Sequence, residues 1–598
     1  MNIFSVISLL GGLAMFLYGI EVMGDGLKNS SSAALKNVLE KVTTNTLMGV
    51  LTGTLVTAVI QSSTATIVLT VALIGAGVLN LKQAVSIVMG ANIGTTITAQ
   101  IIRLMDIDSN GSIFLEFCKP ATLAPLALII GIILIMFVKT GKSKNVGDIC
   151  IGFGILFMGL LNMTAAVEPL SGSQAFADLL ARFSNVPILG ILAGLVLTVV
   201  VQSSSAMVGM LQALSSTGAM TFSLIYPVVM GINLGTCVTT AAVCSIGTSK
   251  DAKRTGIVHI AFNTIGTVLF MIAMTILHKT GAFPATFWNR TVDSGDIANF
   301  QTIFNVLTCV VLLPFSGLLV KLSKSIVKED KPKPLAHPEL HTLDEKLFVS
   351  PSLALSEATK AVAAMGSLAR ENFARSCKQL LKYDESAVPQ IMEDEDALDQ
   401  FADSSSNFLV ELAKLIQSSH DNLQLNMLIQ TIPNFERIGD YATNFVELAQ
   451  QMQEEKLRFS EAAQKELILL SSAVDEIISI TVDAFGSDDN DYARRIEPLE
   501  ETIDDMVQIL RERHTKRLKA GACAITSGLK FMDFLTYAER ASDQCSSIAV
   551  QMLARNNEAI LYNHYDYLRE IHQGNDEAYN AERQRRRDQY ILPLEAIH

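Results

Sequence analysis

Two short polar segments inside long apolar runs carry the residues best suited to bind an ion. They are Gln61-Ser62-Ser63-Thr64 and Gln202-Ser203-Ser204-Ser205, the first and second QSS segments, 141 residues apart. A helix that begins at a Ser-Ser step directs free backbone N–H groups and its positive dipole end at the preceding residues, which suits an oxyanion. Hydroxyl, amide and unwound carbonyl oxygens also suit a hard cation such as sodium. The pair therefore predicts a shared site for an anion and a cation bound with it.

A motif rich in glycine follows each QSS segment at the same offset, which indicates an internal duplication. The two GxN motifs are Gly90-Ala91-Asn92-Ile93-Gly94-Thr95-Thr96 and Gly231-Ile232-Asn233-Leu234-Gly235-Thr236-Cys237. We add Asn92, Thr95, Asn233 and Thr236 to the candidate ligands, although the asparagines suit a helix-bridging role equally well. For His259 and Asn263, four residues apart on one helical face, we favour a structural hydrogen bond over a ligand role.

Segment length predicts the elements that position these motifs. Seven apolar segments are long enough to span a bilayer: about 4–24, 83–104, 121–138, 147–166, 224–246, 257–278 and 300–321. The stretches 46–60, 65–79, 187–201 and 206–219 have only about 15 residues each, or ~22 Å of helix against a core of ~30 Å. A QSS segment interrupts each short pair. We therefore predict two re-entrant helical hairpins, whose ends lie in protein or a watery cavity.

Loop charge predicts the orientation. Basic residues cluster in two short loops, which are therefore predicted to be cytoplasmic: Lys139, Lys142 and Lys144, and Lys250, Lys253 and Arg254. Seven crossings place the N-terminus outside and the C-terminal half inside the cytoplasmic (inner) membrane. The repeats, about 1–140 and 141–280, are then inverted, with 300–321 as a final span. The first apolar run lacks a basic n-region and a clear cleavage site, so we interpret it as a retained span rather than a signal peptide.

Charge divides the chain into two parts. Residues 1–321 carry a net charge of +4 and residues 322–598 a net charge of −17. The acidity of the second part argues against nucleic acid as a partner and favours cationic ligands such as metals. We predict a proline-bearing linker at 322–350, a helical domain at 351–555 and an extension at 556–598. The basic run Arg583-Gln584-Arg585-Arg586-Arg587 in the extension is interpreted as solvated charge on an added helix, in preference to contact with lipid.

Paired carboxylates repeat in the helical domain. Glu436-Arg437-Ile438-Gly439-Asp440 matches Glu539-Arg540-Ala541-Ser542-Asp543, and Glu395 with Asp399 matches Glu500 with Asp504. A Glu-x-x-x-Asp spacing places both carboxylates on one helical face. Facing pairs suit a divalent or ferric ion, and we expect Glu436, Asp440, Glu539 and Asp543 to share one. A solvated helix face is the alternative.

Both halves resemble known families. The QSS segments with their GxN motifs, and the stretch Lys253-Arg254-Thr255-Gly256-Ile257-Val258-His259-Ile260-Ala261-Phe262-Asn263, resemble the type II sodium-dependent phosphate cotransporters. The resemblance covers about residues 1–320 and implies sodium-coupled movement of inorganic phosphate across a lipid bilayer. Ile232 and Cys237 depart from the family pattern. The repeated carboxylates resemble the PhoU family, which implies two tandem three-helix bundles, metal clusters and control of phosphate transport. The second copy, where Gln544 follows the motif, departs from the usual sequence.

The sequence therefore predicts an all-α protein: a polytopic membrane domain with inverted repeats, followed by a cytoplasmic PhoU-like domain. The leading function is sodium-coupled secondary transport of phosphate. A phosphate exporter and a phosphate-sensing regulator with weak transport stay open as alternatives. An enzyme is not expected, because the chain has no Walker loop, Ser-His-Asp arrangement or histidine-rich metal motif. A homo-oligomer is compatible with the sequence but is not specified by it.

Overall fold

The computed structural model describes residues 3–30, 45–75, 78–106, 119–138, 141–170, 186–245, 250–328, 343–416, 418–521, 523–555, 563–573 and 576–597, with a few single positions between them. The chain forms two compact units, Met1–Lys333 and Pro334–His598. Lys139 and the side chain of Lys142, which the orientation argument uses, lie outside the described residues.

The regular secondary structure in the described part of the first unit is helical, and an isolated bridge joins Thr221 and Thr291. They are α1 (Ile3–Ser30), α2 (Thr46–Ile60), α3 (Ser63–Gly75), α4 (Leu81–Gly94), α5 (Thr96–Ile102), α6 (Pro120–Phe137), α7 (Gly141–Val167), α8 (Pro187–Val201), α9 (Ser204–Ser215), α10 (Phe222–Ser245), α11 (Lys250–Lys279), α12 (Ala285–Trp288), α13 (Ser294–Leu312) and α14 (Ser316–Ile326).

The predicted spans are confirmed, because seven helical stretches among the described residues are long and apolar enough to cross a membrane. They are Ile3–Ser30, Leu81–Asp106, Pro120–Phe137, Ser143–Leu170, Phe222–Ser245, Lys250–Lys279 and Ser294–Ile326. Helices α2, α3, α8 and α9 have only 12 to 15 residues. Each QSS segment lies at the break within one short pair. The inverted orientation of the two repeats stays a prediction.

The two repeats share one packing arrangement. Helix α2 packs on α4, and α8 packs on α10 in the same way. A Cβ atom at Gly90 would overlap the backbone carbonyl of Val50, and one at Gly231 would overlap that of Ile191. Only glycine permits these close approaches between helix backbones. The first glycine of each GxN motif therefore fixes the distance between a short hairpin helix and a long helix.

The second unit consists of helices in its described part. They are α15 (Pro351–Leu381), α16 (Val388–Ala413), α17 (Ser419–Glu454), α18 (Glu461–Ser487), α19 (Asn490–Ala493), α20 (Ile496–Lys519), α21 (Ile525–Arg555), α22 (His564–His572) and α23 (Glu577–Glu595). Helices α15, α16 and α17 pack against one another as one bundle, and α18, α20 and α21 as a second. Contacts of α17 with α21 and of α15 with α18 join the two bundles.

Helix α23 packs against α20 and α18 of the second bundle. Its basic run is paired with acids of that bundle. Arg583 Nη2 lies 3.0 Å from Glu501 Oε2, Arg587 contacts Asp505, and Arg586 contacts Glu476. The interpretation of these three arginines as solvated charge is therefore wrong. Their pairing fixes the extension to the domain, because each arginine meets a carboxylate on a neighbouring helix.

Candidate functional site

The two QSS segments have the same backbone conformation. Gln61 and Gln202 both adopt the left-handed region, at φ 57° and ψ 20°. Their backbone N–H groups donate to Thr57 O at 2.8 Å and Thr198 O at 2.7 Å, which closes the preceding helix in each copy. A left-handed non-glycine residue is uncommon and marks a position held by its surroundings. The same unusual turn in both repeats indicates a shared role for the two glutamines.

The serines cap the helices that follow. Ser62 Oγ accepts a hydrogen bond from Ala65 N, and Ser203 Oγ accepts one from Ala206 N, both at 3.2 Å. The next residues form the first turns of α3 and α9: Ser63, Thr64, Ser204 and Ser205. Thr64 is half-buried, whereas Ser63, Ser204 and Ser205 are buried. Each helix therefore presents its first backbone N–H groups and hydroxyls beside the glutamine turn.

The two segments differ in what surrounds the glutamine. Gln61 is buried, and its Oε1 accepts a hydrogen bond of 2.7 Å from Thr98 Oγ1. Gln202 is exposed at the equivalent place. Thr98 is not among the predicted site residues, although the duplication marks it, because Thr239 occupies the same offset in the second repeat. The first segment is thus pre-organised by protein contacts, and the second is open.

A second difference concerns the threonine before each segment. Thr57 Oγ1 donates to Thr66 Oγ1 at 2.9 Å. Methionine replaces the second threonine in the other repeat, at Met207. Thr198 Oγ1 is therefore buried without a hydrogen-bond partner among the described residues. The hydroxyl of Thr198 in the second repeat is therefore available to a ligand, whereas that of Thr57 in the first repeat is bonded to Thr66.

Helix α11 contacts both GxN motifs. Asn263 Nδ2 donates to Asn92 Oδ1 at 3.3 Å, and Cys237 Sγ lies 3.8 Å from the backbone oxygen of His259. Asn233 Nδ2 is buried and unpartnered among the described residues. The hydroxyls of Thr95 and Thr236 donate to the backbone carbonyls of Ala91 and Ile232 on their own helices. Asn92 therefore bridges helices, and Asn233 keeps free donor capacity.

A hydrogen bond joins His259 and Asn263, and it runs from a side chain to the backbone. Asn263 Nδ2 donates to the backbone oxygen of His259, at 3.1 Å. Both ring nitrogens of His259 are buried and unpartnered among the described residues. The helical spacing predicted the proximity of the two residues correctly. It could not show that the amide would turn to the backbone.

Each repeat matches a known family separately. The model of the Na+/Pi-cotransporter family matches residues 15–165 and again residues 161–287, so each match contains one QSS segment with its GxN motif. Residues 15–287 belong to the Na+/Pi-cotransporter family. The PhoU domain model matches residues 362–449 and 467–552, one match in each bundle of the second unit. Together the matches identify a phosphate transporter family protein with a C-terminal PhoU domain.

Relatives of the chain differ in what their names state. YjbB of Salmonella typhimurium, named as a candidate inorganic phosphate export protein, is 24% identical over 82% of this chain and 87% of its own length. Sodium-dependent phosphate transport protein 2A of Rattus norvegicus is 30% identical over 30% of this chain and 28% of its own length. YqeW of Bacillus subtilis, an uncharacterised protein, is 28% identical over 53% of this chain and 96% of its length.

A solved structure also resembles part of the chain. PhoU from Pseudomonas aeruginosa is 24% identical, with a TM-score of 0.32, and the similarity covers 34% of this chain and 97% of that protein.

The PhoU domain brings carboxylates together in two groups of three. Glu395, Asp399 and Asp440 lie in the first bundle, and Glu500, Asp504 and Asp543 lie in the second. Within each group one oxygen per residue lies within 4.8 Å of the others. This arrangement differs from the predicted single site of Glu436, Asp440, Glu539 and Asp543. In the first bundle Glu395 and Asp399 meet Asp440 of the neighbouring helix, and in the second bundle Glu500 and Asp504 meet Asp543.

The two remaining glutamates lie at the edges of these groups. Glu539 forms an ion pair with Arg511. Burial, then the charge of Asp440, raises the pKa of Glu436. In the second group, burial and neighbouring carboxylates raise the pKa of Glu500 to about 10 and that of Asp504 to about 7. The sequence favoured metal in the first copy, yet the carboxylates of the second copy are the more strongly perturbed.

The C-terminal extension carries a titratable contact with the second bundle. His572 Nε2 lies 2.9 Å from Glu497 Oε1, and its Nδ1 lies 3.3 Å from Glu501 Oε1. The hydrogen bond to Glu497 raises the pKa of His572. Because the charged imidazolium makes these pairs, their contribution is present at low pH and is lost as pH rises through the raised pKa.

We therefore expect α22 and α23 to be better protected from hydrogen exchange at pH 6 than at pH 8, after correction for the intrinsic exchange rate. His572→Gln should remove this pH difference. Arg583→Gln should instead reduce protection at both pH values, because the arginine stays charged throughout. Equal pH dependence in wild type and His572→Gln would contradict the assignment.

Proposed function

We propose that the protein couples the movement of inorganic phosphate to sodium, with both QSS segments forming the site. The repeated left-handed turn at Gln61 and Gln202, each followed by a serine-capped helix, carries this proposal. Helix N-termini and hydroxyls bind an oxyanion without a fixed cation. The glutamine, serine and carbonyl oxygens supply neutral ligands for sodium, whose charge offsets that of phosphate.

The neutrality of the site favours a cation that travels with the anion. The residues of the QSS segments and GxN motifs are uncharged, and a permanent lysine or arginine at membrane depth is costly. A bound sodium supplies the positive charge only while phosphate is present. We therefore assign Gln61, Ser62, Ser63, Thr64, Asn92, Thr95, Gln202, Ser203, Ser204, Ser205, Asn233 and Thr236 to the proposed substrate and ion site.

Export is the second candidate. The similarity to YjbB extends over 82% of this chain, so it includes at least part of the PhoU domain, whereas protein 2A matches only 30%. The direction of a secondary transporter follows the ion and substrate gradients, so one site serves import and export. A phosphate-sensing regulator would use the same site with little turnover. We further propose that the carboxylate groups bind a divalent or ferric ion and that the PhoU domain modulates transport.

The deciding measurement is phosphate flux in vesicles that contain the purified protein. We expect uptake to be faster with an inward sodium gradient than with the same gradient of potassium or choline. Vesicles loaded with phosphate and sodium should likewise release phosphate faster into sodium-free buffer. Equal flux in all three cations would refute sodium coupling. If phosphate moves in only one of these two experiments, uptake or release, that result would decide between import and export.

The proposed topology can be tested by cysteine labelling. Lys144, Lys253 and Asp293 are exposed, and none of them lies within the QSS segments or GxN motifs. In a variant without native cysteines, we expect cysteines at Lys144 and Lys253 to react with an impermeant maleimide only from the cytoplasm. A cysteine at Asp293 should react only from outside. Labelling of the Lys144 and Lys253 positions from opposite faces would exclude the inverted arrangement.

A further inference from the structure

Helices α11 and α13 carry two stripes of neutral polar side chains in the interior of the first unit. The stripes consist of His259, Asn263 and Thr267 on α11, and Gln301, Asn305 and Thr308 on α13. Spacings of three or four residues place each set on one helical face. All six side chains are at most 5% exposed. Polar side chains in membrane-spanning helices are uncommon and almost always face the interior of the bundle, where they mark candidate functional sites.

Two contacts fix how the helices face each other. A Cβ atom at Gly266 would lie 3.0 Å from Thr308 Oγ1, and the rings of Phe270 and Phe304 are 4.8 Å apart. Phe270 follows Gly266 by four residues on α11, whereas its contact Phe304 precedes Thr308 by four residues on α13. The helices are therefore antiparallel. Thr267, beside Gly266, is level with Thr308, and Asn305 lies one turn away on the same face.

The two stripes present oxygen atoms without partners. Thr267 Oγ1, Thr308 Oγ1, Asn305 Oδ1 and Gln301 Oε1 are buried and receive no hydrogen bond from the described residues. The orientation of Asn305 is defined, because its Nδ2 donates to the backbone oxygen of Gln301 at 3.0 Å. Threonines elsewhere on these helices behave differently: the hydroxyls of Thr275 and Thr302 donate to Met271 O and Ala298 O. Four unpaired oxygens on two facing helices therefore call for a polar occupant.

The donor set selects the occupant. Amide and hydroxyl oxygens are hard ligands, which suit alkali and alkaline-earth cations rather than soft metals. None of the four residues carries a negative charge, so the set offers little to offset the dehydration of a divalent ion. We propose that Thr267, Thr308 and Asn305 bind a sodium ion at a site separate from the QSS segments. This inference deepens the proposed function, because α11 also contacts both GxN motifs.

The site can be tested without transport. We would measure the melting temperature of the intact purified protein in detergent while sodium chloride replaces choline chloride at constant ionic strength. Sodium should raise the melting temperature of the wild type, because a ligand of the folded state stabilises it. Thr308→Val and Asn305→Leu should raise the sodium concentration for the half-maximal shift at least tenfold. Thr275→Val, the same change at an exposed position of α11, should leave that concentration unchanged.

The remaining outcomes are also decisive. The proposal would be overturned if the half-maximal sodium concentration were unchanged in both Thr308→Val and Asn305→Leu. It would also be overturned if Thr275→Val raised that concentration as much as they do. If Thr308→Val fails to fold, Thr267→Val supplies the same loss of one oxygen from the facing helix. Because melting does not require phosphate flux, a sodium shift that depends on Thr308 would support the site even if sodium-coupled transport were refuted. If transport is coupled to sodium but Thr308→Val and Asn305→Leu leave the sodium-induced melting shift unchanged, the separate sodium site is refuted and the proposed function is not.

Discussion

Replacing Gln202 with alanine should reduce sodium-dependent phosphate transport at least tenfold while leaving the protein folded and inserted. Gln202 is exposed at the break between α8 and α9, so its side chain contributes little to packing. A hydrogen bond to a charged partner contributes about 1.5–3 kcal/mol, and ~1.4 kcal/mol corresponds to a factor of ten. Initial rates in vesicles, normalised to the amount of inserted protein, measure the effect.

A glycine variant separates the side chain from the backbone. Alanine at position 202 removes the amide and also strains the left-handed turn, whereas glycine removes the amide and relaxes it. If the amide binds the substrate or ion, Gln202→Gly should be as impaired as Gln202→Ala. Normal transport in Gln202→Gly with impaired transport in Gln202→Ala would assign the residue to the turn alone.

Gln61 should behave differently under the same comparison. Its Oε1 accepts from Thr98, and its Nε2 donates to Ala58 O at 2.5 Å. Gln61→Gly should therefore reduce stability as well as transport, because Thr98 loses the partner of a buried hydroxyl. Melting temperatures of the two glycine variants would show whether the first QSS segment has this additional structural role.

The lengths of the apolar segments and the internal duplication explain why the sequence predicts the QSS breaks correctly. The helices beside Gln61 and Gln202 are too short to span a bilayer, and each ends at its glutamine. The offset between repeats identifies the counterpart of each residue but not its contacts. Thr98 donates to Gln61, whereas its counterpart Thr239 donates to the backbone oxygen of Thr236 and Gln202 is exposed.

The sequence does not predict which residues meet when they lie on helices that are distant in the chain. Periodicity places Asn305 and Thr308 on one face of α13, but the facing helix is fixed by the contacts of Gly266 with Thr308 and of Phe270 with Phe304. The carboxylates follow the same rule. Their helical faces are evident from spacing, yet only the packing of the bundles separates Asp440 from Asp543 into two groups.

The second carboxylate group should bind a divalent or ferric ion and be destabilising without one. Burial and the like charges of Glu497 and Asp504 raise the pKa of Glu500 to about 10. Asp504 Oδ1 is buried without a hydrogen-bond partner among the described residues, which fits a ligand oxygen. A carboxyl group whose pKa is raised on folding holds more protons in the folded state. The contribution of this group to the stability of the metal-free protein should therefore fall as pH rises above about 4, the pKa range of unfolded carboxyl groups.

Metal should reverse this loss, and more strongly at higher pH, because the cation displaces protons from the group. At 100 times its dissociation constant an ion stabilises the folded state by about 2.7 kcal/mol. For a domain of this size ~2–4 °C is gained per kcal/mol. The melting temperature of the PhoU transition should therefore rise by about 5–10 °C.

The double variant Glu500→Gln with Asp504→Asn tests the assignment to these residues. It should melt above wild type in chelator at pH 8, because the amides need neither a charge nor a bound proton in this group on folding. It should not respond to metal through the second group. Glu512→Gln, an exposed change on the same helix, should behave as wild type. Elemental analysis of the purified proteins should show one fewer ion in the double variant. If metal content and melting are the same in the double variant and wild type, the second group does not bind metal. Any regulation by the PhoU domain would then have to act through another part of that domain.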